Sequence, residues 1–182
     1  MRIIAGTAKR TVLVTPKGIN TRPTSDMARE SLFNIFAANI VGASFLDLFC
    51  GSGAVGLEAL SRGAAEVVLV DSSKLAISAT VQNLQKSKLS GARIIESTVQ
   101  KAISKLSATN CVFDYIFLDP PYETNLLAQT MQQLSNASLL AKSGMIIAET
   151  DTKLPIPTSD FALVDNRKYG RTSFLLYTHR SN

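Results

Sequence analysis

One stretch constrains this chain more than any other: Phe45-Leu46-Asp47-Leu48-Phe49-Cys50-Gly51-Ser52-Gly53-Ala54-Val55-Gly56-Leu57-Glu58-Ala59-Leu60. An apolar run ends in a glycine-rich turn, and a helix-like run follows. A strand that delivers a turn to a helix N-terminus has this form. Gly51 and Gly53 permit a sharp bend and let a ligand lie against the backbone. Gly56 lets the helix pack close to the strand, and the free N–H groups of the first helical turn face the ligand. Such a crevice binds nucleotide-like molecules.

Two carboxylates narrow the choice. Asp47 lies inside the strand before the turn, where it suits a cationic amino-acid group better than a pyrophosphate. Asp71 ends the next apolar run, Val67-Val68-Leu69-Val70. Its spacing is that of a carboxylate accepting hydrogen bonds from ribose hydroxyls. Each such charge-assisted bond contributes roughly 1.5–3 kcal/mol. The glycine pattern and Asp71 also fit a nicotinamide dehydrogenase. A plainer alternative is a strand–turn–helix corner with exposed carboxylates.

A second motif separates these readings: Asp114-Tyr115-Ile116-Phe117-Leu118-Asp119-Pro120-Pro121-Tyr122. The two prolines fix φ and remove two backbone donors, which frees local carbonyls to accept. Asp119 adds a side-chain acceptor and Tyr122 a flat ring. Acceptors beside an aromatic platform suit a planar base with an exocyclic amine. Stacking on the ring is worth about 1–3 kcal/mol. A dehydrogenase leaves this motif unexplained, and a Pro-Pro loop that merely ends a strand is its bland counterpart.

Together, Asp47-Leu-Phe-Cys-Gly51-Ser-Gly53, Asp71 and Asp119-Pro-Pro-Tyr122 resemble a class I S-adenosylmethionine-dependent methyltransferase of the amino-methylating kind. The stretches Thr21-Arg22-Pro23-Thr24-Ser25-Asp26-Met27-Ala28-Arg29-Glu30-Ser31-Leu32-Phe33-Asn34 and Leu57-Glu58-Ala59-Leu60-Ser61-Arg62-Gly63-Ala64 are similar to the bacterial RsmD-like family. That family methylates guanine N2 in small-subunit ribosomal RNA, at family position guanine 966. The resemblance runs from Arg2 to about Tyr177. It implies S-adenosylmethionine bound by Asp47, Phe49, Gly51, Ser52, Gly53, Asp71, Ser72 and Asp119, with Ser97 or Thr98 at the adenine edge. It implies catalysis by Asp119, Pro120 and Tyr122, without a metal. A guanine drawn from its RNA context would sit between Tyr122 and the cofactor, its N2 held by Asp119 and the Pro120 carbonyl. It further implies contacts from Lys9, Arg10, Arg22, Arg29, Lys168 and Arg171 to 16S rRNA, within a small subunit or its assembly intermediate. Family members carry Arg-Gly-Arg near the N-terminal tip, where this chain has Lys9-Arg10-Thr11, so the charge is shifted. Adenine N6 or a protein amide as acceptor, and a non-catalytic RNA-binding assembly factor, are the alternatives.

Length and composition agree with one α/β domain over 182 residues, 46% of them hydrophobic and 18% charged. The net charge of +5 is uneven. Residues 1–30 hold six Lys/Arg against two Asp/Glu, and residues 166–182 hold four Lys/Arg and no acid. Basic ends suit a polyanion. No apolar run approaches a membrane span, and Cys50 and Cys111 lack metal-ligand spacing. A cytoplasmic monomer with reduced thiols is expected.

In chain order, residues 1–20 read as a small β-hairpin arm with Lys9 and Arg10 at its tip. Thr24 or Ser25 caps a helix from Asp26 to about Asn39. Strands are expected at 45–49, 66–70, 92–96, 114–118 and 144–149, and helices at 54–62, 74–87, 98–107 and 124–140. This alternation predicts a parallel sheet with helices on both faces; the resemblance implies a Rossmann-like class I α/β sheet, mostly parallel with its last strand antiparallel. Leu154-Pro155-Ile156-Pro157 interrupts any last helix. Two further strands, Phe161–Val164 and Thr172–Tyr177, follow and join through Arg167–Arg171.

Overall fold

The computed structural model describes residues 1–15, 26–35, 39–121, 125–151, 158, 160–170 and 172–180. Twelve elements follow one another along the described residues: α1 (Asp26–Ile35), β1 (Ser44–Asp47), α2 (Ala54–Ser61), β2 (Glu66–Asp71), α3 (Lys74–Ser87), β3 (Ala92–Glu96), α4 (Val99–Ala108), β4 (Phe113–Leu118), α5 (Leu126–Ser135), β5 (Leu140–Thr150), β6 (Phe161–Tyr169) and β7 (Thr172–His179). The strands form one sheet in the order β3-β2-β1-β4-β5-β7-β6. β1 to β5 run parallel, and β7 is antiparallel to both β5 and β6. The expected class I architecture is therefore present, with its antiparallel last strand inserted between β5 and β6. Strand order reverses between β1 and β4, and ligand crevices of such sheets open there.

Alternation along the strands divides the core in two. Phe45, Val67, Leu69, Tyr115, Phe117, Ile147, Phe174 and Leu176 face α1 and α2. Leu46, Val68, Val70, Ile116, Leu118, Ile146, Ala148 and Leu175 face α4 and α5. α4 shows how local sequence meets this demand. Val99, Ala102, Ile103 and Leu106 fall on one helical stripe, and Thr98 caps the first turn by accepting from the Lys101 amide. No helix among the described residues is long and apolar enough to cross a membrane.

Helix α2 is buried on every side, unusual for eight residues on a sheet. The N-terminal segment supplies its outer cover. The expected hairpin is present in short form: Arg2 and Val12 make one antiparallel bridge, and the Ile3, Arg10 and Leu13 amides donate across it to the Thr11, Ile3 and Met1 carbonyls. The backbone between its arms is committed to α2. The Ile4 and Ala5 amides donate to the Glu58 carboxylate at 2.7 and 3.0 Å. The Thr7 amide donates to the Ser61 carbonyl and the Ala8 amide to the Ser61 hydroxyl. Ile3, Ala8 and Leu13 are buried beneath it.

Other boundaries shift slightly. α5 ends at Ser135 rather than near residue 140, because β5 already starts at Leu140. A register shift between Phe113 and Tyr115 accommodates that longer strand. β6 continues to Tyr169, so the expected connection through Arg167–Arg171 is largely strand.

Arg29 corrects an expectation. The resemblance implies an RNA contact, yet Arg29 is 0% exposed. Its guanidinium meets Asp26 at 3.0 Å and Glu58 at 3.8 Å, and donates to the Arg2 carbonyl. A cation shut from solvent offers a phosphate no donor face; Arg29 ties α1 to α2 and to the N-terminal segment, while its Nε and Nη1 have no hydrogen-bond partner among the described residues. Arg22, Thr24, Ser25, Tyr122, Leu154–Pro157 and Arg171 lie outside the described residues.

Candidate active site

The crevice is built from β1 upward. Asp47 ends β1 and is 1% exposed. The amides of Gly56 and Phe49 donate to its carboxylate. Oδ1 has no hydrogen-bond partner among the described residues. Burial pushes this carboxyl up to about 7, the Gly56 and Phe49 amides oppose the shift, and the Asp71 and Glu149 charges add to it. A buried oxygen without a donor is costly unless a ligand supplies one.

The turn above Asp47 is fixed from outside itself. Gly51 and Gly53 take positive φ of 54° and 77°. The Gly51 amide donates to Asp71 Oδ2 at 2.9 Å, and the Gly51 carbonyl accepts from the Thr80 hydroxyl at 2.9 Å. The Ser52 carbonyl accepts from Asn83 at 2.9 Å. Asp71, Thr80 and Asn83 thus hold both edges of the loop. A Cβ on Gly51 would meet nothing within 4 Å, so that face is open. A Cβ on Gly56 would run into Leu69 and Val67, so the expected close packing of helix on sheet is present. Ser52 and Gly53 are buried, while Phe49 and Gly51 are half-buried at the crevice edge.

Asp71 serves the protein twice. Besides Gly51, its Oδ1 accepts from the Ser73 amide at 2.8 Å. Both oxygens keep a lone pair for a further donor. Ser72 beside it is exposed, and Ser97 donates its amide to the Asp71 carbonyl at 3.0 Å. Thr98 caps α4, its hydroxyl accepting from the Lys101 amide.

Asp119 follows β4 across the switch point from Asp47. It is half-buried, and Pro120 behind it is buried. Desolvation raises the Asp119 pKa well above the carboxylate range, and the charges of Glu149 and Asp47 push the same way. Glu149, near the end of β5 and 2% exposed, escaped the sequence reading. Its signal was present: an acid closing the apolar run Met145-Ile146-Ile147-Ala148. Asp47, Asp71, Asp119 and Glu149 therefore end four neighbouring strands at one sheet edge.

The basic candidates fall in two places. Lys9 and Arg10 are exposed, on the turn seated against the C-terminal end of α2. That end lies about 10 Å along the helix from the glycine loop. Lys168 is exposed near the end of β6, paired with Ser173, while Thr150 of β5 pairs with the same Ser173. The β6–β7 turn thus stands at the crevice edge of the sheet.

Comparison with known proteins places this geometry. A family model described as "Conserved hypothetical protein 95" matches residues 1–178. Ribosomal RNA small subunit methyltransferase D of Escherichia coli (strain K12) is 35% identical, over 97% of this chain and 89% of its own length. The chain belongs to this RsmD-like family. The solved structure of yhhF from Escherichia coli superposes with a TM-score of 0.86 at 32% identity, covering 100% of this chain and 99% of that one. A S-adenosylmethionine-dependent methyltransferase from Agrobacterium tumefaciens reaches a TM-score of 0.61 at 22% identity, over 72% of this chain and 46% of that one, which shows the shared fold. In this RsmD-like chain the glycine loop, Asp47 and Asp119 all meet where the class I sheet reverses its strand order.

Proposed function

We propose that this protein transfers a methyl group from S-adenosylmethionine to the exocyclic N2 of a guanine in 16S rRNA, the family position being guanine 966. Support comes from the family and from one observation in particular. A buried carboxylate oxygen of Asp47 lacks a donor among the described residues, beneath an open glycine turn and across the switch point from Asp119-Pro120. A ligand with a cationic amino-acid end and a ribose fits these residues. Asp47 would face the ammonium end, Asp71 the ribose hydroxyls, Gly51 and Gly53 the backbone-side surface, and Ser97 the adenine edge. The cofactor supplies an electrophilic methyl on a sulfonium.

The chain's own part is positioning and electrostatics. Asp119 and the Pro120 carbonyl accept from the two N2–H bonds, which turns the nitrogen lone pair toward the methyl. Tyr122 stacks on the base. Exposed Lys9, Arg10 and Lys168, with Arg22 and Arg171, meet phosphate; Arg29 is withdrawn from that set. The test is methyl transfer from labelled S-adenosylmethionine to rRNA and to small subunits from cells lacking this gene, followed by nucleoside analysis. N2-methylguanosine at one site is expected. Asp119→Ala is expected to lower the rate about 10²–10³-fold with the fold intact. Undiminished turnover in that variant would remove Asp119 from the mechanism.

A further inference from the structure

We propose that Asn83 is a positioning residue that locks the cofactor turn and the N-terminal segment into one arrangement, so that cofactor and RNA bind with positive linkage. The RNA half rests on the substrate reading given above; the lock between the two segments does not.

Asn83 lies on α3 and is 0% exposed. Its carboxamide bonds to backbone that is distant in sequence. Oδ1 accepts from the Val14 amide at 2.6 Å, and Nδ2 donates to the Val14 carbonyl at 2.9 Å. Nδ2 also donates to the Ser52 carbonyl at 2.9 Å. The side chain thus meets Val14 as a neighbouring strand would, offering one residue both an acceptor and a donor. Its other N–H goes to the cofactor turn. Both donors and the acceptor oxygen are then in use. Chemistry fixes the orientation, because exchanging O and N would set an oxygen against two carbonyls. Asn83 therefore cannot turn away from Val14 without also releasing Ser52.

The inner face of α3 suits this contact. Its buried residues are Ala76, Ala79, Thr80 and Asn83, none of them large and apolar. Thr80, also 0% exposed, donates to the Gly51 carbonyl at 2.9 Å, and a Cβ on Gly53 would come within 2.9 Å of its methyl. The turn lies directly on α3. Thr80 and Asn83, three residues apart on one helix face, hold its consecutive carbonyls. Of the two, Asn83 also reaches the N-terminal segment. That segment runs to Val14 from the exposed Lys9–Arg10 turn, through Val12, bridged to Arg2, and buried Leu13. On its other side it is held by Glu58 and Ser61 of α2, the helix that follows the cofactor turn. A ligand that fixes the Ser52 carbonyl removes the freedom Asn83 needs to release Val14. What cofactor gives to the segment, RNA on the segment returns to the cofactor by the same factor.

Amide hydrogen exchange of the full chain, with and without S-adenosylhomocysteine (the demethylated cofactor), tests the lock without RNA or turnover. In the unaltered chain, saturation is expected to slow Val14 exchange about fivefold or more. The Arg180 amide, which donates to the Asp160 carbonyl at the far edge of the sheet, is the control and is expected not to respond. An unmoved Val14 rate, or equal slowing at both amides, overturns the lock. In Asn83→Ala, Val14 exchange is expected to be fast with or without ligand. Val14→Pro removes the amide that Oδ1 accepts and leaves Asn83 in place, so it serves also if Asn83→Ala fails to fold. This variant is expected to bind S-adenosylhomocysteine about fivefold more weakly in calorimetry, and to raise the KM for S-adenosylmethionine with kcat kept. An unchanged dissociation constant means that the two segments are held independently, and overturns the proposal. Small-subunit rRNA is expected to bind about fivefold tighter with S-adenosylhomocysteine in the unaltered chain, a gain lost in Val14→Pro. Binding of rRNA that ignores the cofactor overturns the linkage. A cofactor response at Val14 without any rRNA binding keeps the lock and removes the RNA reading instead.

Discussion

Glu58 and Asp47 are both carboxylates shut away from solvent, on the consecutive elements α2 and β1, and their surroundings are opposite. Glu58 is met by the Ile4 and Ala5 amides, by Arg62 at 2.7 Å and by Arg29 at 3.8 Å. Asp47 receives two backbone amides, and among the described residues it keeps an orphan oxygen and has only acids for charged neighbours. A buried charge with its partners in place holds elements together. A buried charge that lacks them is a cost, and a site that binds a cation recovers it. The side of α2 toward the N-terminal segment is thus scaffold, and the side toward β1 is binding site.

Removing the satisfied charge should do the most damage. Glu58→Ala leaves Arg29 with Asp26 as its one acid among the described residues and takes the Ile4 and Ala5 amides' acceptor away, with an expected loss of about 3–5 kcal/mol in urea unfolding. A loss below 1 kcal/mol would mean that the network is not what holds the segment. Removing the unsatisfied charge should have the opposite sign. The folded Asp47 keeps its proton up to about pH 7, whereas the unfolded chain releases it near 3.9. Ligand-free stability is therefore full below the unfolded value and falls as pH rises toward 7. Asp47→Asn is expected to gain roughly 2–4 kcal/mol at pH 8 and almost nothing near pH 4, while cofactor affinity drops. Equal unfolding curves at pH 8 would sink the contrast between the two carboxylates.

Asp71 sharpens the comparison, since it both holds the loop and faces the crevice. For Asp71→Ala, calorimetry is expected to show cofactor binding weaker by about 1–3 kcal/mol. An unchanged dissociation constant would count against the ribose assignment. The smallest effect belongs to Arg10, which carries a positive φ of 73° at the exposed turn. Arg10→Gly is expected to stabilise by about 0.5 kcal/mol and to reduce the salt slope of RNA binding by about 1. An unaltered slope would take this turn off the RNA surface.

The legible parts of this protein were the local ones. Gly51, Gly53 and Gly56 announce a turn and a close approach because a missing Cβ is a property of the residue. Alternating strand and helix periods announce a parallel sheet flanked by helices for a similar reason. Asp71 was legible by its spacing from the loop, though not the second duty of tethering Gly51. Glu149 was not, because only the strand order β1-β4-β5 brings it beside a residue thirty positions earlier. Arg29 read as a free cation because its partner Glu58 arrives from another helix.

By itself, then, the sequence determined the fold class, the glycine loop and the acceptor motif after β4, all set by contacts within a few residues. Tertiary structure alone decided which charges are satisfied. Asp26 and Glu58 pair with Arg29, the N-terminal backbone closes over Glu58, and Asp47 keeps an oxygen without a donor among the described residues. The physical reason is that a charge's worth depends on its burial and its neighbours, and long-range packing supplies both.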